Sequence, residues 1–265
     1  MFTLKTSKDL KYYTIDEFEK TGLLRHAFST RCGGVSENEF ESMNLRINSE
    51  DSRENILKNY EIICGEIGVN FKNLVFSNQV HCDTIKSVGK EDLGNGITRA
   101  QKWDGVDGLI TNVPGVPITI FAADCVPVFF LDPVKKVIAT VHSGWKGNVL
   151  KISAKCVHKM IKEYSCDAKD ILVGIGPSIG VCHFEVGDDV ADIFRDNFGD
   201  SVLERCEKWH VNMQKAIKLQ LLEKGIKEKN IIDANICTYC NNDLFFSHRR
   251  TGDKRGVMAG IMELK

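Results

Sequence analysis

The sequence predicts an α+β fold: a single layered domain over residues 1–265 in which mixed sheets are flanked by helices. Short runs rich in branched and aromatic residues read as buried strands, and apolar residues recurring every three or four positions read as helices. The two kinds of segment mix without the strict alternation of a doubly wound parallel sheet, which favours an α+β arrangement. The length of 265 residues suits one large domain, because single cores stop growing near about 250–300 residues.

Taken in order, residues 51–69 carry Ile56, Leu57, Tyr60, Ile63, Cys64 and Ile67 at helical spacing, with a charged opposite face. This predicts a surface helix. Residues 116–121 and 126–131 read as strands, Asp132-Pro133 supplies a turn, and 136–141 resumes as a strand. Cys125 therefore falls between two strands. Ser143-Gly144-Trp145-Lys146-Gly147 allows a tight turn, after which Val149, Ile152, Cys156, Val157, Met160, Ile161 and Tyr164 mark one helix face. Residues 171–175 predict another buried strand, 211–224 a helix stopped by Gly225, and 230–236 a further strand.

Composition narrows the chemistry. With 35 Lys+Arg against 36 Asp+Glu, nothing resembles the basic stripe that nucleic acid requires, so a small substrate is expected. Ten cysteines are spread through a chain too long to need stapling, and no apolar signal segment opens the sequence, which points to a reduced cytoplasm. The longest apolar stretch, 113–131, is broken by three prolines, Gly115 and Asp124, and does not read as a membrane span.

Three segments hold the candidate chemistry: Asn78-Gln79-Val80-His81, Ala123-Asp124-Cys125-Val126-Pro127 and Val141-His142-Ser143-Gly144-Trp145-Lys146-Gly147. Each sets a soft metal ligand or nucleophile at the end of a strand-like run. One thiol and two imidazoles, if they converge, form a three-ligand transition-metal site with its fourth position open to water or substrate. Cys125 read alone is either inert packing or a thiolate, and a thiolate at neutral pH needs a cation or metal beside it. The other histidines read as structural: His158 lies among lysines on a solvated helix face, His210 at a helix entrance and His26 before an apolar pair.

Around these segments stand Phe28-Ser29-Thr30-Arg31-Cys32-Gly33-Gly34-Val35-Ser36, Asp107-Gly108-Leu109-Ile110-Thr111 and Ile175-Gly176-Pro177-Ser178-Ile179-Gly180 with Phe184-Glu185-Val186-Gly187. Cys237-Thr238-Tyr239-Cys240 then leads to Phe245-Phe246-Ser247-His248-Arg249-Arg250. From about residue 25 onward this ordered set resembles the bacterial multicopper-laccase-domain family. Its members were once called polyphenol oxidases and are now regarded as purine nucleoside phosphorylases with adenosine deaminase activity. The resemblance implies a cytotoxic-necrotizing-factor-like fold and a single metal site at His81, Cys125 and His142. It also implies phosphorolysis of adenosine, inosine, guanosine and methylthioadenosine to base and ribose 1-phosphate, with adenosine deamination in the same pocket. Zinc is expected and copper is the alternative, since one Cys/His/His site lacks the several coppers of four-electron oxygen chemistry.

Substrate-binding residues expected on the same grounds are Arg31, Gln79, Lys146 and Arg249. The Arg31 loop has two readings, a surface turn or a set of converging amides beside a guanidinium that holds phosphate. Resemblance favours the second. Arg250 is a further anion candidate, although Thr251-Gly252-Asp253-Lys254-Arg255-Gly256 departs from the family's Thr-Gly-Arg spacing. The Cys237-x-x-Cys240 pair reads as a buried structural turn, because no second ligand pair adjoins it in sequence. At Cys182-His183 the family often has two cysteines, so no essential role is assigned to His183. The expected partners are purine nucleosides and phosphate, with the chain a monomer or weak homodimer. The rival readings are a copper-dependent polyphenol oxidase, a hydrolase with Cys125 as nucleophile and His142 as base, and a non-enzymatic binding protein.

Overall fold

A computed structural model describes residues 1–265 as two six-stranded mixed sheets packed face to face, with helices on both outer surfaces. The first sheet runs from edge to edge through Phe2–Ser7, Leu10–Ile15, Leu24–Ser29, Met258–Leu264, Ile118–Ala122 and Val75–Phe76. The second runs through Ile231–Asp233, Leu172–Ile175, Val126–Asp132, Val137–Ser143, Gly108–Thr111 and Ile85–Ser87. A small third sheet joins Glu185–Val186, Trp209–Val211 and Leu203–Arg205.

Strand periodicity explains the layering, because successive side chains point to opposite faces. In Val126–Asp132, Phe129 and Leu131 enter the core between the sheets, where they meet Phe28, Ile118 and Met258. Val126, Val128 and Phe130 point the other way, to the core beneath the helices Ile152–Tyr164 and Met213–Glu223. In Met258–Leu264 the odd residues Ala259 and Ile261 lie under the helix Arg53–Ile67, beside Ile56, Tyr60 and Ile63. Both strands are thus apolar on both faces, which is why they read as continuous runs rather than alternations.

The helix expected over 51–69 is Arg53–Ile67, ended by Gly68 in the left-handed region (φ 73°). That expected over 211–224 is Met213–Glu223, with the Asn212 side chain accepting from the Lys215 amide at its start. Val211 belongs instead to Trp209–Val211, so His210 is a strand residue, its Nδ1 2.7 Å from the Val181 carbonyl. The strand expected over 230–236 shortens to Ile231–Asp233. The N-terminal hairpin, with Phe2 opposite Ile15 and Ser7 opposite Leu10, was not expected from the sequence. No helix is long and apolar enough to cross a membrane, and all ten cysteines are unpaired.

Candidate metal centre

His81, Cys125 and His142 come together although 61 residues separate the first from the last along the chain (142 − 81). Their donor atoms lie within 4.8 Å of one another, with Cys125 Sγ 3.7 Å from His81 Nε2 and the imidazole centroids 4.9 Å apart. His142 is the penultimate residue of Val137–Ser143, near the strand end as expected, and is buried. Cys125 occupies the bend between Ile118–Ala122 and Val126–Asp132. His81 departs from the expectation: the strand before it is only Val75–Phe76, and the residue sits in a later bend with φ 64°. Its ring is therefore aimed by the loop and not by a strand.

Asp107 does that aiming. Fully buried, it accepts hydrogen bonds from the amides of Val80, His81 and Cys82 at 2.9, 3.1 and 3.0 Å, and its Oδ1 lies 2.7 Å from His142 Nδ1. One carboxylate thus shapes the His81 loop and orients His142, leaving His142 Nε2 for the centre, as in a carboxylate–histidine–metal relay. Gly144 supplies the remaining space: a Cβ there would stand 2.8 Å from His81 Cδ2 and 3.0 Å from Cys125 Sγ.

The electrostatics follow from this packing. Burial raises the Asp107 pKa, but the hydrogen bond and charge of His142 and the Val80 and Cys82 amides outweigh it and hold the carboxyl down at about 2. Burial likewise opposes charge on Cys125 and on His142. Their mutual attraction, with His81 helping the thiolate and Asp107 the imidazole, lowers Cys125 to about 6 and raises His142 to about 10. A thiolate prepared at neutral pH is the form that binds metal or attacks carbon.

The cluster opens on a cavity of about 670 Å³, the size of a small-molecule site. Trp145, Phe184, Val190 and Met213 give it apolar walls; Arg46, Arg249 and Arg255 bring positive charge to it, and Asp124, Glu185 and Asp253 negative. A second cavity of about 750 Å³ shares Arg46 but holds neither cysteine nor histidine.

The expected substrate residues divide. Arg249 lines the cluster cavity, its guanidinium bonded to the His183 and Glu185 carbonyls. Gln79 lines the other cavity and clamps Phe121, accepting from its N–H at 2.7 Å and donating to its C=O at 2.8 Å. Lys146 is exposed and lines neither cavity, its Nζ lying 5.6 Å from the Trp145 ring centroid. Arg31 lines neither cavity: it donates to the Glu41 and Asn242 carbonyls and lies 4.7 Å over Phe246. Arg250 is spent on Tyr239, donating to its carbonyl at 2.6 Å. The residues that sequence reasoning missed are Asp107, Arg46 and Arg255. Arg255 has a buried Nε without a partner, and it stands where the Thr-Gly-Arg spacing of the resembling family is stretched.

Comparison with known proteins fits this geometry. The model of the family described as multi-copper polyphenol oxidoreductase laccase matches residues 25–265. The chain belongs to that family. A protein of Bacteroides thetaiotaomicron named purine nucleoside phosphorylase is 33% identical over 98% of this chain and 98% of its own length. A protein named adenosine deaminase RL5, from an unknown prokaryotic organism, is 30% identical over 87% of this chain and 90% of its own. The crystal structure of YlmD from Geobacillus stearothermophilus superposes with a TM-score of 0.93 at 29% identity, covering 100% of this chain and 98% of that one. Family members thus bear phosphorylase and deaminase names alike, and His81, Cys125 and His142 form a Cys/His cluster of this member that could hold a metal.

Proposed function

We propose that this family member is a zinc-dependent purine nucleoside phosphorylase that also deaminates adenosine, acting in the cytoplasm as a monomer or weak homodimer. Its substrates are adenosine, inosine, guanosine and methylthioadenosine, with phosphate as co-substrate. The observation that carries the reading is a cluster of one thiolate and two imidazoles, of which Cys125 and His81 line a cavity with three arginines. The relatives' names select purine chemistry among the reactions such a site can run. The two-sheet core is compatible with the cytotoxic-necrotizing-factor-like class that the resemblance implies.

The residues fit zinc, which takes Cys and His donors and in catalytic sites keeps one position for water or substrate. When bound there, zinc supplies Lewis acidity and brings the pKa of a bound water near neutrality. His81, Cys125 and His142 hold it, and Asp107 keeps the proton on His142 Nδ1. Arg46, Arg249 and Arg255 attract phosphate; Trp145, Phe184 and Met213 give the planar base an apolar seat. In phosphorolysis a phosphate oxygen bonds ribose C1′ as the bond to purine N9 breaks, and the base takes a proton. In deamination water adds at C6 and ammonia leaves. His248 and Asp253 line the same cavity and are the carriers proposed for those protons.

Chromatography of adenosine incubated with and without phosphate tests the reading. Inosine without phosphate, giving way to adenine and ribose 1-phosphate as phosphate rises, is the expected result. A product set that ignores phosphate sinks the shared pocket.

One observation favours a second reading. Asp107, His142 and Cys125 form the orienter, base and nucleophile of a thiol hydrolase. Turnover that survives chelation but stops on alkylation of Cys125 selects it.

A further inference from the structure

Behind the cavity wall lies a second constellation. Leu172–Ile175 and Ile231–Asp233 pair in parallel, with Val173 opposite Ile231 and Ile175 opposite Asp233, so both chains leave the sheet at the same end. They stay joined: the Ser178 amide donates to the Ile236 carbonyl and the Thr238 amide to the Ser178 carbonyl. The next turn of one chain carries Cys182 and His183, and that of the other Cys237 and Cys240. The ligand pair that sequence could not supply for Cys237-x-x-Cys240 is delivered by parallel pairing.

We propose that Cys182, His183, Cys237 and Cys240 form a closed zinc centre that staples these two turns together. The spacing of the donors carries the inference. Zinc–sulfur bonds of about 2.3 Å and zinc–nitrogen bonds of about 2.0–2.1 Å in a tetrahedron put sulfurs about 3.8 Å apart and sulfur about 3.5 Å from nitrogen. Here Cys182 Sγ is 3.7 Å from Cys240 Sγ, and His183 Nδ1 is 3.2, 3.3 and 3.9 Å from the sulfurs of Cys182, Cys240 and Cys237. All donor atoms lie within 4.8 Å of one another.

The surroundings are those of a structural metal. The His183 ring stacks on Tyr239 at 4.1 Å with an interplanar angle of 20°, which fixes the direction of Nδ1. The Gly180 amide donates to Cys237 Sγ at 3.2 Å, support of the kind that metal-binding thiolates receive from the backbone. Three thiolates on a divalent ion leave one negative charge, and Arg250, over the Tyr239 ring, and Arg249, bonded to the His183 carbonyl, are at hand to offset it. Four protein donors fill a tetrahedron, so the centre has no position for substrate. Binding releases the thiol protons to solvent. Its effect reaches the cavity through the chain: Phe184, Glu185 and Val186 follow His183 directly and form part of the wall.

Metal analysis of the full-length protein purified in zinc under reducing conditions tests the proposal. Wild type should hold a second zinc equivalent that Cys125→Ala retains and Cys240→Ala lacks, with Cys240→Ala melting several degrees lower. Cobalt exchange into Cys125→Ala gives a reading that does not depend on Cys240→Ala folding: intense visible bands and a thiolate-to-cobalt band in the near ultraviolet are expected. Cys125→Ala without metal or those bands overturns the proposal. So does a Cys182–Cys240 disulfide in the reduced, zinc-supplied protein, for it would leave His183 and Cys237 without a shared ion.

Discussion

The two Cys/His clusters are built from the same donor chemistry and differ in almost everything around them. At His81, Cys125 and His142 there are three donors, a buried carboxylate behind them and a cavity in front. At Cys182, His183, Cys237 and Cys240 there are four donors, two of them exposed cysteines, with aromatic stacking and backbone amides as support. The comparison teaches that donor identity does not decide what a metal-ligand cluster is for; donor count and the space beside it do. Three donors facing a cavity leave room for a reaction, whereas four donors on two turns leave room only for a staple.

Replacing Cys125 or His142 with Ala should have the largest effect. Loss of metal-assisted charge stabilisation worth several kcal/mol corresponds to at least about a thousandfold in both activities. Inosine and adenine formation should fall together while the fold, by circular dichroism, stays intact. A variant that loses deamination alone would separate the two reactions.

A buried imidazole outside both clusters provides the control. His26 Nε2 accepts the Ile15 amide at 2.7 Å, and burial first, then the charge of Lys5, lowers its pKa to about 4. The unfolded chain therefore takes up this proton before the folded one does. Stability from this group is complete above about pH 6.5 and falls as the pH drops from there towards about 4, by up to about 3 kcal/mol. Denaturant titrations at both ends of that window should show a smaller acid loss for His26→Gln, which keeps an acceptor. Equal losses would mean His26 titrates normally.

Asp107→Asn removes the support that distinguishes the first cluster. Metal affinity should fall about 10–100-fold, read by competition with a chromophoric chelator, and a second zinc equivalent at Cys182, His183, Cys237 and Cys240 should be untouched. Unchanged affinity would reduce Asp107 to a loop anchor.

The smallest effect concerns the anion. Arg255→Met should raise the half-saturating phosphate concentration about tenfold, the order expected for one charge-assisted hydrogen bond. Arg31→Ala should leave it unchanged and lower thermal stability instead, because the Arg31 guanidinium holds the Glu41 and Asn242 carbonyls. The reverse pattern would restore the Arg31 loop as the phosphate site.

Much of the fold was legible because burial writes a period into sequence. The helix Arg53–Ile67 follows from Ile56, Tyr60 and Ile63, and the two-faced strand Val126–Asp132 from its unbroken apolar run. The hairpin of Phe2–Ser7 with Leu10–Ile15 was not legible, since its outer strand is only partly covered and carries a polar, half-exposed pattern. At the site, His81, Cys125 and His142 could each be picked out from their places at strand-like ends, and the family resemblance joined the three at one metal site. Asp107 was passed over because a buried aspartate before a strand has no distinctive spacing. Arg255 was passed over because its loop displaced it from the expected motif.

The sequence by itself determined the class of the fold, its family and the candidate Cys and His donors, because apolar periodicity, motif order and residue type are all written along one dimension. Only the tertiary structure brought Cys182 and His183 together with Cys237 and Cys240. Cys182-His183 and Cys237-x-x-Cys240 lie 54 residues apart from His183 to Cys237 (237 − 183), and nothing local links them until parallel strands bring their ends together. It also decided which arginines face the cavity: Arg46, Arg249 and Arg255 line it, whereas the Arg31 guanidinium is turned to the Glu41 and Asn242 carbonyls.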